Sequence, residues 1–166
     1  MHLHPSNLTH SPLDLSAMAI IGVISGLVGG LAEVLWIWLY SSIVGDDPLA
    51  IAAAVSATFV TLGGPIAVVL GLAVHMVLAA ALGLSLTAAL RLASPRLARS
   101  ASEVFLVVIA LVAVWGANFF VLLPIINPGF VHIVPLPVSL ISKLSFGIAA
   151  AYVLHRRVWR SGLSAS

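Results

Sequence analysis

Apolar residues along this chain neither alternate nor form a narrow stripe; they run on in four long blocks, at 17–43, 65–92, 103–126 and 137–157. A helix rises about 1.5 Å per residue, so roughly 20 apolar residues cross the ~30 Å hydrocarbon core of a bilayer. Each block is long enough, and the pattern predicts four transmembrane helices. A shorter apolar block at 48–62 cannot span; Asp47 is placed to cap it and Pro48 suits its first turn. It reads as a helix lying at the interface or tucked against the others. The expected fold class is all-α, a polytopic four-helix membrane bundle with one short additional interfacial helix. Residues 1–16 and 158–166 are left as tails on a single membrane domain, 17–157.

Local signals fit these boundaries. Asp14 and Ser16 are capping candidates for the first block, and Gly63-Gly64-Pro65 opens the second. Ser100 with Glu103 has the spacing of a capping box before the third. Pro124 is expected to kink or end that helix, and Asn127-Pro128-Gly129 to turn the chain.

Composition narrows the class. The chain is 61% hydrophobic and 7% charged, whereas a soluble domain carries about a quarter charged residues and needs them to cover its surface. The first sixteen residues hold no Lys or Arg and the apolar run behind them is too long for a signal-peptide core, so the first block is expected to be a retained helix. Arg91, Arg96 and Arg99 lie between the second and third blocks, and Arg156, Arg157 and Arg160 follow the fourth, while the other two connections have no basic residue. Four crossings place both basic segments on one side, and the positive-inside rule then makes both termini cytoplasmic. The absence of cysteine removes disulfides, thiolate-bound iron–sulfur clusters and thiol nucleophiles.

Ionisable side chains within membrane helices cost about 2.5–3.5 kcal/mol each on insertion scales, so each needs a partner or a purpose. Three are present, Glu33, His75 and Lys143, along with the amide Asn118. Counted from the same end of their helices, Glu33 and His75 lie roughly 15 Å deep, Asn118 roughly 12 Å and Lys143 roughly 9 Å. Facing agrees with depth. Gly22, Gly26 and Gly30 precede Glu33 on one side of the first helix; Gly71, His75, Ala79 and Gly83 form one i,i+4 line; Ser139, Lys143, Gly147 and Ala151 form another. Small residues are where membrane helices approach closely, so the four polar groups should point between helices and meet as an intramembrane cluster. Three readings of that cluster stay open: structural glue with Glu33 paired to Lys143, a proton, ion or ligand site, or a register in which the four do not meet.

His75, flanked by Gly71 and Ala79, is also a candidate axial ligand for haem or chlorophyll, with His132 in the second outer connection as the nearest second ligand. Other candidates are weaker. His2, His4 and His10 make the N-terminal tail mildly metal-friendly, and Asp46 beside Asp47 is acidic enough for a cation, but no metal site is assigned. Trp36, Trp38, Tyr40 and Trp159 fall near helix ends, as interfacial belts require, and Trp115 lies deeper, as packing. No zincin, phosphate-loop, nucleophile-elbow or dinucleotide motif is present, no hydrolytic triad assembles from Ser139 or Ser142 with His75 and Glu33, and nothing points to nucleic acid. An enzyme is not expected.

The run GLAVHMVLAAALG, with WGANFFVLLPIINPGFVHIVPLPVSLISKL further on, resembles that of small uncharacterised four-helix bacterial inner-membrane proteins. The resemblance implies a bacterial inner membrane and no particular chemistry. The expected function is a non-catalytic accessory or structural subunit of a larger membrane protein complex, with other membrane subunits as partners. The apolar second outer connection, around His132, supports it. A tetrapyrrole-binding subunit using His75 and a small oligomeric transporter or proton pathway are the alternatives.

Overall fold

The computed structural model describes residues 15–93 and 101–163. Eight helical elements follow in order: α1 Leu15–Val44, α2 Pro48–Ser56, α3 Gly64–Ala93, α4 Ala101–Ala117, a π-helical turn Asn118–Leu122, α5 Leu123–Ile126, α6 Phe130–Ile133 and α7 Leu136–Leu163. No strand occurs among the described residues. Among the described residues, four stretches are long and apolar enough to cross a membrane: Leu15–Val44, Gly64–Leu92, Ser102–Ile126 and Leu136–Arg156. Large apolar side chains such as Ile20, Leu35, Ile66, Val77, Phe105 and Ile148 stand exposed along them. A water-facing surface does not tolerate apolar area on this scale, and lipid does.

The helices are ordered in space as α3, α1, α7 and α4. α1 packs along both α3 and α7, α4 packs chiefly on α7, and α2 lies on α3. Glycine explains the central place of α1. A Cβ at Gly26 would overlap the Ala79 carbonyl and come within 2.9 Å of the Ala80 Cα, and one at Gly22 would lie 2.8 Å from the Leu84 Cα, so bare backbone is what lets α3 approach. On its other side α1 presents Gly29, where a Cβ would come 2.8 Å from the Phe146 ring of α7, and Ser25, whose hydroxyl donates to the Ala150 carbonyl at 3.3 Å. The line from Gly71 to Gly83 is therefore divided. Ala79 and Gly83 face α1, but a Cβ at Gly71 would overlap the Ala52 carbonyl of α2.

Several local expectations change in the structure. The short helix ends at Ser56 rather than at 62; the Asp47 carboxylate caps it by accepting from the Leu49 N–H at 2.9 Å, and the chain from Ala57 turns away. Pro124 does not end its helix. Lacking an N–H, it gives the Phe120 carbonyl no i+4 donor, and its ring crowds that carbonyl. The helix widens by one residue instead, with the Leu123 N–H donating to the Asn118 carbonyl, and continues to Ile126. The connection behind it is not a plain turn. It carries α6, and the Asn127 amide ties it to α2 by donating to the Ala54 carbonyl at 3.1 Å, and to the turn behind α2 by donating to the Thr58 hydroxyl at 2.8 Å. Asp14, Ser100 and His2, His4 and His10 lie outside the described residues, while Ser16 falls within α1.

The two ends of the assembly are packed differently. Toward the end that carries Arg91, the buried side chains of Ala79, Val107, Leu111, Phe146, Ala150, Ala151 and Leu154 form one apolar cluster, with Leu82, Leu86 and Leu90 against it. At that end Arg91 Nη2 meets Glu103 Oε1 at 2.8 Å, joining α3 to α4. Toward the end that carries α2, no such cluster among the described residues fills the centre. A cavity takes its place.

Candidate intramembrane binding site

The cavity measures about 590 Å³. Its walls come from the α2-side halves of α1, α3, α4 and α7, with α2, the π-helical turn, α5 and Phe130 of α6 closing the rest. Most of the lining is apolar or aromatic: Ile37, Trp38, Val55, Phe59, Leu72, Leu78, Phe119 and Leu122 among others. Its volume lies in the ordinary range for a pocket that holds a small molecule, roughly 300–1,000 Å³.

The polar groups gather on the side that borders the apolar cluster. Glu33 is buried, 5% exposed, and its Oε1 accepts from Lys143 Nζ at 2.7 Å. Its other oxygen, Oε2, lies 3.8 Å from His75 Nε2. His75 Nε2 also lies 3.2 Å from the Gly30 carbonyl oxygen. A carbonyl only accepts, so this bond puts the proton on Nε2 and, in a neutral imidazole, leaves Nδ1 as an acceptor. Lys143 Nζ stands 5.3 Å from the centre of the Phe146 ring, one turn further along α7 and fully buried. Asn118 lines the same cavity, and its side chain makes no hydrogen bond among the described residues. Glu33, His75 and Lys143 are thus in mutual reach around Glu33, and Asn118 shares their cavity without touching them through a hydrogen bond.

Why the chain folds this way locally follows from small residues. Gly30 opens α1 where His75 arrives: a Cβ there would lie 2.6 Å from the Ala79 Cβ and 3.6 Å from His75 Nε2. Gly147 does the same one turn beyond Lys143, where α7 meets α4; its Cβ would come 3.0 Å from Leu111 Cδ1. The π-helical turn begins at Asn118, and its extra residue broadens α4 on the cavity side, where Asn118, Phe119 and Leu122 all contribute.

Four features of the site and of the helices that frame it were not apparent from the spacing of residues. The Trp115 indole is not only packing: it donates to the Ser139 hydroxyl at 3.0 Å, and that hydroxyl donates on to the Leu136 carbonyl at 2.9 Å. Trp36 likewise donates to the Val138 carbonyl at 3.0 Å, fixing the start of α7 against α1. Ser142 and Thr58 add hydroxyls to the lining. Glu103, expected in a capping box, carries an ion pair to Arg91. An indole's amphipathic character is the one signal in the sequence that allows either role for Trp115.

His132 does not join His75. It is exposed on α6, and the cavity takes Phe130 and Val134 from that connection instead. Axial ligation of a tetrapyrrole by His75 would have to use Nδ1 or break the bond from Nε2 to Gly30. Among the described residues no three His, Asp or Glu side chains converge in a way that could hold a metal ion.

Comparison of the chain with protein-family models, with curated proteins and with solved structures returns no match.

Proposed function

We propose that the protein is a non-catalytic subunit of a larger membrane assembly in the bacterial inner membrane, and that it holds a small lipid-soluble molecule within the bilayer. The observation that carries this reading is the contrast between the two ends: one filled by side chains, the other hollow, apolar and floored by a buried ion pair. The buried Phe146, Leu111 and Val107 fill the bundle toward the Arg91 end, beyond the cavity, and this favours holding a molecule over passing it through a single chain. Chemistry on that molecule is not favoured. Glu33 is engaged by Lys143, and the Ser139 hydroxyl is held between Trp115 and Leu136, so neither stands ready as base or nucleophile. The assembly reading draws on α4, which packs chiefly on α7 and leaves a flank that a partner's helix can cover.

Lipid extraction and mass spectrometry of the purified protein test the binding role. Wild type should retain a lipid-soluble molecule that Val55→Trp and Leu122→Trp lose. These two changes fill the cavity from different elements, and both variants should keep the wild-type helix content. Identical extracts from all three folded proteins would defeat the reading.

The same reading places both termini and the Arg91 end in the cytoplasm, with α2 at the opposite interface. The chain has no cysteine, so single replacements are clean reporters. In intact cells Asp46→Cys should react with a membrane-impermeant maleimide, and Ser166→Cys only after lysis. The reverse pattern would invert the topology.

A further inference from the structure

The groups left over at the cavity floor specify the kind of molecule it takes. Lys143 carries three N–H donors and spends one on Glu33; the Asn118 amide adds two more, neither with a partner among the described residues. On the accepting side, Glu33 Oε1 is taken by Lys143, while Oε2, 3.8 Å from His75 Nε2, the Asn118 amide oxygen and His75 Nδ1 stay open. None of these acceptors meets the four remaining N–H groups of Lys143 and Asn118, so a ligand that satisfies those donors brings acceptor oxygens. Charge narrows the class further. The carboxylate of Glu33, 2.7 Å from Lys143, already neutralises the ammonium. An anionic headgroup would have to lie beside that carboxylate in a medium where like charges repel strongly, and a cationic one would meet the ammonium. The floor suits a neutral head with carbonyl oxygens.

The walls give the rest. Trp115 and Phe119 stack with ring centres 5.8 Å apart, and both line the cavity, as do Trp38 and Phe59. Aromatic faces beside a row of donors fit a flat ring that carries its acceptors on its edge. Resting on the binding role proposed above, we infer that the cavity takes an electroneutral, lipid-soluble quinone, its ring carbonyls accepting from Lys143 and Asn118 and its apolar tail running toward the α2 end. Glu33 is then a positioning residue: it holds the ammonium at the floor and cancels its charge.

A matched pair of probes separates the headgroup from the apolar body. 2-Decyl-1,4-naphthoquinone and 2-decylnaphthalene share ring and tail and differ in the two carbonyls. Binding of each is measured on the full-length protein in detergent by its effect on the melting temperature. Wild type is compared with Asn118→Leu for each probe, so that micelle partition cancels. Asn118 has no hydrogen bond to lose from its side chain, so this variant should fold. The expected result is about tenfold weaker quinone binding in Asn118→Leu, about 1.4 kcal/mol, with naphthalene binding changed less than twofold. Equal losses for both probes, or none for either, would overturn the quinone assignment while leaving the cavity as a binding site. Tighter binding of decanoate than of the quinone would overturn the neutral-headgroup step. Failure of every probe to raise the melting temperature, with Val55→Trp behaving as wild type, would remove the binding role itself.

Discussion

Replacing Lys143 with methionine will destabilise the protein by about 3–5 kcal/mol, and adding Glu33→Gln to that variant will restore most of the loss. The Glu33 side chain is 7% exposed and its carboxylate has one close cationic partner. Removing the ammonium leaves a buried charge with only His75 at 3.8 Å to answer it, and an uncompensated buried charge is what makes breaking such pairs expensive. Making the carboxylate an amide removes that charge, and a neutral pair of similar volume is often as stable as the ion pair it replaces. The two single variants should also differ. Lys143 is more open than Glu33, at 17% against 7%, and its stem is flexible, so Glu33→Gln alone lets the ammonium tilt into the cavity and should be the milder change. Unfolding in mixed micelles across the double-mutant cycle measures this. A coupling below about 0.5 kcal/mol would mean that the pair seen at 2.7 Å contributes nothing that its members do not contribute singly.

The ion pair was legible from the chain because it depends on two simple quantities: the rise of a helix and the intolerance of hydrocarbon for lone charges. Glu33 and Lys143 fall at comparable heights on faces marked by small residues, and the structure bonds them. The same reasoning placed His75 and Asn118 nearby, and the structure puts both on the cavity that the pair floors. The four long apolar blocks were legible for the same reason, with ends within a few residues of those observed at α1 and α3.

What escaped the sequence depends on distances between helices, which no periodicity encodes. The cavity lies where α2 packs on α3 at Gly71 and α4 packs chiefly on α7. Nothing in the spacing of Gly71, His75 and Ala79 says that the first residue faces one partner and the last another. Arg91 and Glu103 each had a sufficient local explanation, as a loop cation and a first-turn acid, and that concealed their pairing across the connection. Pro124 was read by its usual effect in a helix, and the widened turn at Asn118–Leu122 is a response that depends on the space available beside it.

Glycine contacts on α1 provide the second large effect, and one that separates close packing from helix propensity. In an exposed helix interior, Gly→Ala should stabilise by about 1 kcal/mol. Gly116 is half-buried but has room: an added Cβ would find nothing within 4 Å, and Gly116→Ala should raise stability by up to about that amount. Gly26→Ala should do the opposite. Its Cβ would overlap the carbonyl of Ala79 and come within 2.9 Å of the Ala80 Cα, and both obstacles are backbone of α3, which no rotamer change can move. The helices must separate, losing contact along the whole crossing, and the expected loss is about 1–3 kcal/mol or more. Gly83→Ala meets the same crossing from the other side, against the Gly26 N and Cα and the Gly22 carbonyl. Because one separation relieves both overlaps, the double variant should be far less damaged than the sum of the singles, with a coupling above about 1 kcal/mol. Additive losses would show that the two glycines are resisted by different neighbours and that α1 and α3 do not meet backbone to backbone. The position of His75 beside Gly30 depends on that same approach, so Gly26→Ala should also loosen the cavity floor one turn away.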